Sequence, residues 1–71
     1  METVSITLKD EYIKLGQALK AAGAVSSGVE AKDVISEGKV RVNGEVDLRR
    51  GKKLYAGDTV FYDGMKICIE E

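Results

Sequence analysis

From Thr3 to Lys9 the chain alternates strictly, with Val4, Ile6 and Leu8 apolar and Thr3, Ser5, Thr7 and Lys9 polar. This is the two-residue period of a strand that rests one face on a core. The period then lengthens. In EYIKLGQALKAAG, Tyr12, Leu15, Leu19 and Ala22 fall at helical spacing, Asp10 stands where an N-cap belongs, and Gly23 offers a left-handed C-terminal residue, so the spacing predicts a helix over residues 11–22. Gly16 interrupts it, at a cost of roughly 1 kcal/mol relative to alanine unless close packing or an exposed position accounts for it. Ser27-Gly28-Val29-Glu30 has the Ser-x-x-Glu form of a capping box, and Ala31, Val34 and Ile35 follow as one apolar stripe. A second helix is predicted from about residue 28 to Gly38. The short connection from Gly23 to Ser27 makes the two helices packed neighbours, a helix-turn-helix-like pair with Lys32 facing outward.

After Gly38 the period returns to two. Val40 and Val42 point one way, Lys39, Arg41 and Asn43 the other, and Asn43-Gly44 is a hairpin signal. A two-residue turn there would oppose Val42 to Glu45 and turn Val46 away from the core, so parity favours a three-residue loop or a bulge. Asp63-Gly64 fits two residues cleanly, opposing Tyr62 to Met65 and Val60 to Ile67, with Ile69 on the same inner face. Between the hairpins, RRGKKLYAGD reads as a basic loop ending in a Gly-Asp turn. The order strand, helix, helix, four short strands predicts an α+β fold, with the helix pair packed on a small, mainly antiparallel sheet of about five short strands. No repeat or linker divides residues 1–71, which read as a single domain.

Composition narrows the chemistry. A chain of 71 residues buries only about 60% of its unfolded surface, which leaves no room for a deep catalytic cleft. With one cysteine, Cys68, and no histidine, an internal disulfide and a multi-thiolate metal site are excluded, and the commonest metal ligand and general base are missing. No metal and no cofactor are expected. The start METVSITLKD lacks a basic stretch followed by an apolar run, and nothing approaches the roughly 18 apolar residues of a membrane helix, so a cytoplasmic protein without a membrane partner is expected. A monomer is the simplest expectation.

Charge changes the picture more. The formal net charge of −1 hides a window, residues 39–53, that holds six of the eleven cations (Lys39, Arg41, Arg49, Arg50, Lys52 and Lys53) against only Glu45 and Asp47. The window is +4 and the remainder −5. Solubility alone requires no such segregation, whereas a local positive field attracts polyanions in spite of the net charge. Arginine beside lysine suits phosphate, since a guanidinium bridges two phosphate oxygens and a lysine follows the backbone as a mobile charge. Gly51 between them permits close approach. Asn43 serves first as a turn residue, with a base or ribose contact secondary. Ser26 and Ser27 serve first as caps, although a helix N-terminus with hydroxyls nearby also seats a phosphate. Cys68, alternating outward from Ile67 and Ile69, reads as a strand filler. Tyr55, Phe61 and Tyr62 read as core, with Tyr55 also placed to stack a base beside the basic loop.

These residues, in this order, resemble a known family. KLGQALKAAGAVSSGVEAKDVISEGKVRVNGEVDLRRGKKLYAGDTV is similar to the RNA-binding domain named after ribosomal protein "S-four", the alpha-L motif, across residues 13–60. The resemblance rests on Leu15 and Leu19, Ser27 opening the second helix, Glu30-Ala31-Lys32 and Ile35 within it, EGKVRVNGEV, and the late Gly57-Asp58-x-Val60. Among its members the whole chain most resembles the short stand-alone bacterial proteins of the YaaA/YbcJ type, which carry a similar RRGKKL loop and little else. Larger relatives join the module to pseudouridine synthases, tyrosyl-tRNA synthetases or ribosome-rescue factors. The resemblance therefore implies binding of structured RNA without catalysis, with ribosomal RNA or a ribosomal subunit as the target. Carried over position by position, it implies RNA contacts from Ser27, Lys32, Lys39, Arg41, Asn43, Arg49, Arg50, Lys52 and Lys53, and Lys14 matches a position often basic in the family. Gly16 departs from it, since relatives commonly have Asp there, which puts the contact from the first helix in question.

Two other classes stand beside this one. A small α+β chain with a Gly-Asp-x-Val hairpin also occurs among ubiquitin-like sulfur carriers, but those need a flexible Gly-Gly terminus and this chain ends KICIEE. An adaptor docking an acidic protein partner through the same basic loop stays open. An enzyme is disfavoured, because no nucleophile, base and oxyanion donors can be assembled from the motifs.

Overall fold

The computed structural model describes residues 2–71. In chain order it contains β1 (Glu2–Thr7), β2 (Ile13–Lys14), α1 (Leu15–Ala21), α2 (Gly28–Ser36), β3 (Arg41–Val42), β4 (Glu45–Val46), β5 (Lys53–Leu54), β6 (Thr59–Tyr62) and β7 (Met65–Glu70). Five strands form one sheet in the order β1-β7-β6-β3-β4, and β2 pairs with β5 in a separate two-stranded ribbon. All pairings are antiparallel except β1 with β7, which ties the start of the chain to its end in a parallel ladder from Glu2 opposite Met65 to Thr7 opposite Glu70. The two helices on one mixed, mainly antiparallel sheet are the α+β architecture that the periodicity predicts.

The core lies between the sheet and the helix pair. Leu15, Ala18 and Leu19 from α1 and Ala31, Val34 and Ile35 from α2 meet Val40, Val42, Val60, Ile67 and Ile69 from the sheet side. Leu54 of the ribbon is fully buried among them. Each Leu, Ile or Val removed from water in this way contributes about 1.5–3 kcal/mol, and the core is small enough that each matters.

Three expectations are corrected. The first helix begins at Leu15, four residues later than its apolar spacing predicts, and Asp10 does not cap it. The reason is tertiary. Ile13 and Lys14 are drawn into the ribbon opposite Leu54 and Lys53, and the first two helical amides donate to the downstream loop, Leu15 N–H to the Lys52 carbonyl at 2.8 Å and Gly16 N–H to the Arg50 carbonyl at 3.0 Å. Tyr12 consequently lies ahead of the helix rather than on its apolar stripe. The second helix starts as predicted, with Ser27 Oγ accepting from Glu30 N–H at 3.1 Å, but it ends at Ser36, and the Glu30 carboxylate reaches back to Ser26 N–H at 2.8 Å rather than to Ser27.

The third correction concerns Asn43-Gly44, which is a two-residue turn without a bulge. Val42 opposes Glu45 and Arg41 opposes Val46. Both turn residues have positive φ, 52° and 88°, the conformation whose twist matches a tight hairpin and which Asn and Gly accept most readily. Val46 is thereby turned outward and is 50% exposed, and the core does without it. Asp63-Gly64 makes the two-residue turn that its parity predicts. The register carries a measurable consequence. Val42→Ala is expected to destabilise by about 1–3 kcal/mol and Val46→Ala by no more than about 0.5 kcal/mol in urea unfolding; equal losses would mean that Val46 also packs in the core.

Candidate nucleic-acid interface

Lys14 carries no acceptor with which to cap α1, and the carbonyls of Lys52 and Arg50 take that part instead. In return α1 fixes the path of the basic loop. Gly16 lies against it: a methyl group there would stand 3.6 Å from the Arg50 carbonyl oxygen, 3.7 Å from Arg50 Cβ and 3.9 Å from Ala31 Cβ, all ordinary contacts. The close approach explains a glycine in the first turn without requiring one.

This arrangement opens a shallow cleft lined by Lys14, Gly16, Gln17, Gly28, Ala31, Arg50 and Gly51. It brings the starts of both helices against the loop. Lys53 stands directly opposite Lys14 across the ribbon, and its ammonium lies 4.9 Å from the centroid of the Tyr12 ring. Tyr12 in turn packs against Tyr55, with centroids 6.0 Å apart and planes inclined at 53°. Lys32 follows Gly28 by one turn on the same side of α2. Ser27 Oγ accepts from the Glu30 amide, and the amides of Gly28 and Val29 have no acceptor within the helix.

The other expected residues are placed differently. Arg49 is held by Asp47: its Nε and Nη2 donate to the two carboxylate oxygens at 3.1 and 2.9 Å, and its backbone N–H donates to the same carboxylate at 2.9 Å. The Asp47 side chain is only 11% exposed. The Arg49 guanidinium, bonded to it, holds the Asp47 carboxyl below the usual aspartate range, with a lesser contribution from Lys52, while Asp47 raises Arg49. Lys52 lines a second cleft with Asp47, Leu48 and Arg49. Lys39 pairs with Glu37 at 3.2 Å on the open surface. Arg41 lies on the outer face of the sheet, away from the core, opposite Phe61 and Val46.

Asn43 is engaged in the fold. Its amide donates to Asp58 at 3.1 Å and its carbonyl accepts from Thr59 N–H at 3.0 Å and Thr59 Oγ1 at 3.3 Å, clamping the hairpin to the turn before β6. The structural role assigned to it from the sequence is the one seen. Of the aromatic residues, Tyr62 packs on the core as expected, but Phe61 faces outward and Tyr55 is 44% exposed. Gln17 and Gly28 in the cleft, and Tyr12 beneath the Lys53 ammonium, are site residues that the sequence reading passes over, because only the ribbon, two residues to a strand, brings the loop to them. Cys68 points outward on β7, opposite Ser5 and Thr59. Among the described residues no group of acids, cysteine or histidine is arranged to hold a metal, and no helix is long and apolar enough to cross a membrane.

Chemically, the exposed Lys14 and Arg50 side chains give the cleft two cations able to hold anions. Beside them the lining consists of Gln17, Ala31 and the glycines Gly16, Gly28 and Gly51. Residues 6–70 match the model of the S4 domain family. The chain is 51% identical over 59 residues to the probable ribosome maturation protein RlbA of Bacillus subtilis, covering 83% of each chain. It is 39% identical over 61 residues to the putative RNA-binding protein YbcJ of Escherichia coli, covering 86% of this chain and 87% of that one. The solution structure of E. coli YbcJ, described as having an αL motif involved in RNA binding, superposes with a TM-score of 0.70 at 37% identity over all of this chain and 89% of that one.

The Asp47–Arg49 pair sets a pH dependence. Because the Asp47 carboxyl is lowered in the folded chain, the stability it contributes is fully present above the ordinary aspartate value and is lost as the pH falls through the lowered one. Unfolding of the wild type and of Asp47→Asn followed from about pH 6 to pH 2 should show a gap that narrows as the acid end is reached. A gap constant across that range would mean that the pair contributes nothing to folding.

Proposed function

The chain belongs to the S4 domain family, an RNA-binding family, and from that premise we propose that it binds structured RNA without catalysing a reaction on it, in the cytoplasm, with ribosomal RNA or a ribosomal subunit as its target. The observation that carries this reading is the gathering of Lys14, Arg50 and Lys53 at the start of α1, with Arg50 also lining the cleft beside the start of α2. Lys14 and Lys53 are direct cross-strand neighbours, an arrangement that costs stability in a free protein. None of the three has an ion-pair partner among the described residues. A phosphate backbone laid across the ribbon supplies the missing counter-charge.

Recognition of this kind reads phosphate and 2′-hydroxyl geometry more than bases, because the deep groove of an RNA duplex is closed to side chains. Sequence specificity is accordingly modest. The name of the B. subtilis relative, probable ribosome maturation protein RlbA, supports a ribosomal target.

A salt titration of binding to ribosomal subunits and to a structured ribosomal RNA fragment tests the reading. Each phosphate contact contributes about 0.7–0.9 to the slope of log K against log salt, so Arg50→Glu with Lys53→Glu is expected to lower affinity at least about tenfold and flatten the slope by about 1.5, with folding intact. Arg49→Glu, facing Asp47, is expected to act more on stability than on affinity. Binding that survives ribonuclease and is unmoved by the double charge reversal would overturn the proposal in favour of a protein partner.

A further inference from the structure

The helices cover one face of the five-stranded sheet, and the other face has a composition of its own. Strand pairing sets a row across it: Val46 on β4, Arg41 on β3, Phe61 on β6, Lys66 on β7 and Thr3 on β1. The neighbouring positions on the same strands, Val42, Val60 and Ile67, belong to the core, and Val4 stands opposite Ile67, so the row lies on the opposite side. Arg41 and Thr3 are exposed, and Phe61 and Lys66 half-buried. The Lys66 ammonium lies over the Phe61 ring, 6.0 Å from its centroid, so a face of the ring is presented to a cation rather than packed against the protein. Behind this row come Thr59, Cys68 and Ser5, polar or small. Glu70, the acid of that face on β7, stands opposite Thr7, at the far end from Phe61.

We infer that this face is a second RNA contact, distinct from the helix-side cleft: an unpaired base stacks on Phe61 while Arg41 and Lys66 take the phosphates on either side. The inference rests on the RNA-binding reading and extends it to a single-stranded segment adjoining the structured element. An aromatic ring flanked in register by two cations combines the stacking surface and the positive track that single strands require. Arg41, on the face of the sheet turned away from the core, then has a ligand of its own. The flexible stem of Lys66 lets its ammonium leave the ring for a phosphate as the base arrives.

The test compares equilibrium binding of a fluorescent oligoadenylate of about ten nucleotides and of a blunt, fully paired RNA duplex. Phe61→Leu keeps an apolar cover on the strand and removes the stacking surface; it should weaken oligoadenylate binding roughly five- to fifty-fold and leave the duplex within about twofold. Arg41→Glu with Lys66→Glu should do the same and reports on the face if the leucine variant is poorly folded. In the wild type, the ring protons of Phe61 should shift upfield when oligoadenylate is added. Oligoadenylate that does not bind, or that binds both variants like wild type, overturns the platform. If duplex binding still depends on Arg50 and Lys53 in that case, the RNA-binding reading stands without it; if neither RNA binds, both fall.

Discussion

Two backbone hydrogen bonds, from the amides of Leu15 and Gly16 to the carbonyls of Lys52 and Arg50, join residues more than thirty positions apart. A helix start needs acceptors for its first amides, and a lysine at the cap position has none to offer. The loop therefore does what an Asp or Ser would do elsewhere. Being fixed from its carbonyl side, it presents its side chains outward, and Ile13 and Leu54 seal the junction from the core. The same contacts that complete α1 thus hold Arg50 beside the start of α2 and Lys53 opposite Lys14. Fold and surface charge depend on one junction.

The cations of the basic window do not act as one patch. Asp47 takes Arg49 for the loop itself, Glu37 takes Lys39, and the alternation of β3 sends Arg41 to the far side of the sheet. What remains around the ribbon is a short cluster whose members repel one another, a local conflict in an otherwise consistent structure. Conflicts of that kind are where proteins place function. The acidic surplus on the rest of the chain does not cancel it, because screening confines each charge to its own neighbourhood at about 8–10 Å.

Much of this was legible in the sequence, and the failures share a cause. The helix pair, the Ser27 cap, the closing hairpin and the inward valines follow from local period and turn chemistry, and the family likeness follows from their order. The start of α1 did not follow, since its spacing is helical from Tyr12 and only the loop fifty residues into the chain makes Ile13 and Lys14 a strand. Parity misplaces Val46 because it sends every valine to the core, whereas the positive φ at Asn43 and Gly44 fixes the register. The pairing of Lys14 with Lys53, on which the candidate site turns, lies in strands of two residues, too short to leave any periodic trace.

In the free protein the basic loop is already seated on α1, before any partner arrives. Residue-resolved amide hydrogen exchange of the free protein measures it directly, at Leu15 and Gly16. Seated, both amides exchange about as slowly as the core amides of β6 and β7, and RNA slows them little further. Exchange of Leu15 and Gly16 at unprotected rates in the free protein, with protection appearing only in an RNA complex, would contradict the account and make the loop a segment that folds on binding.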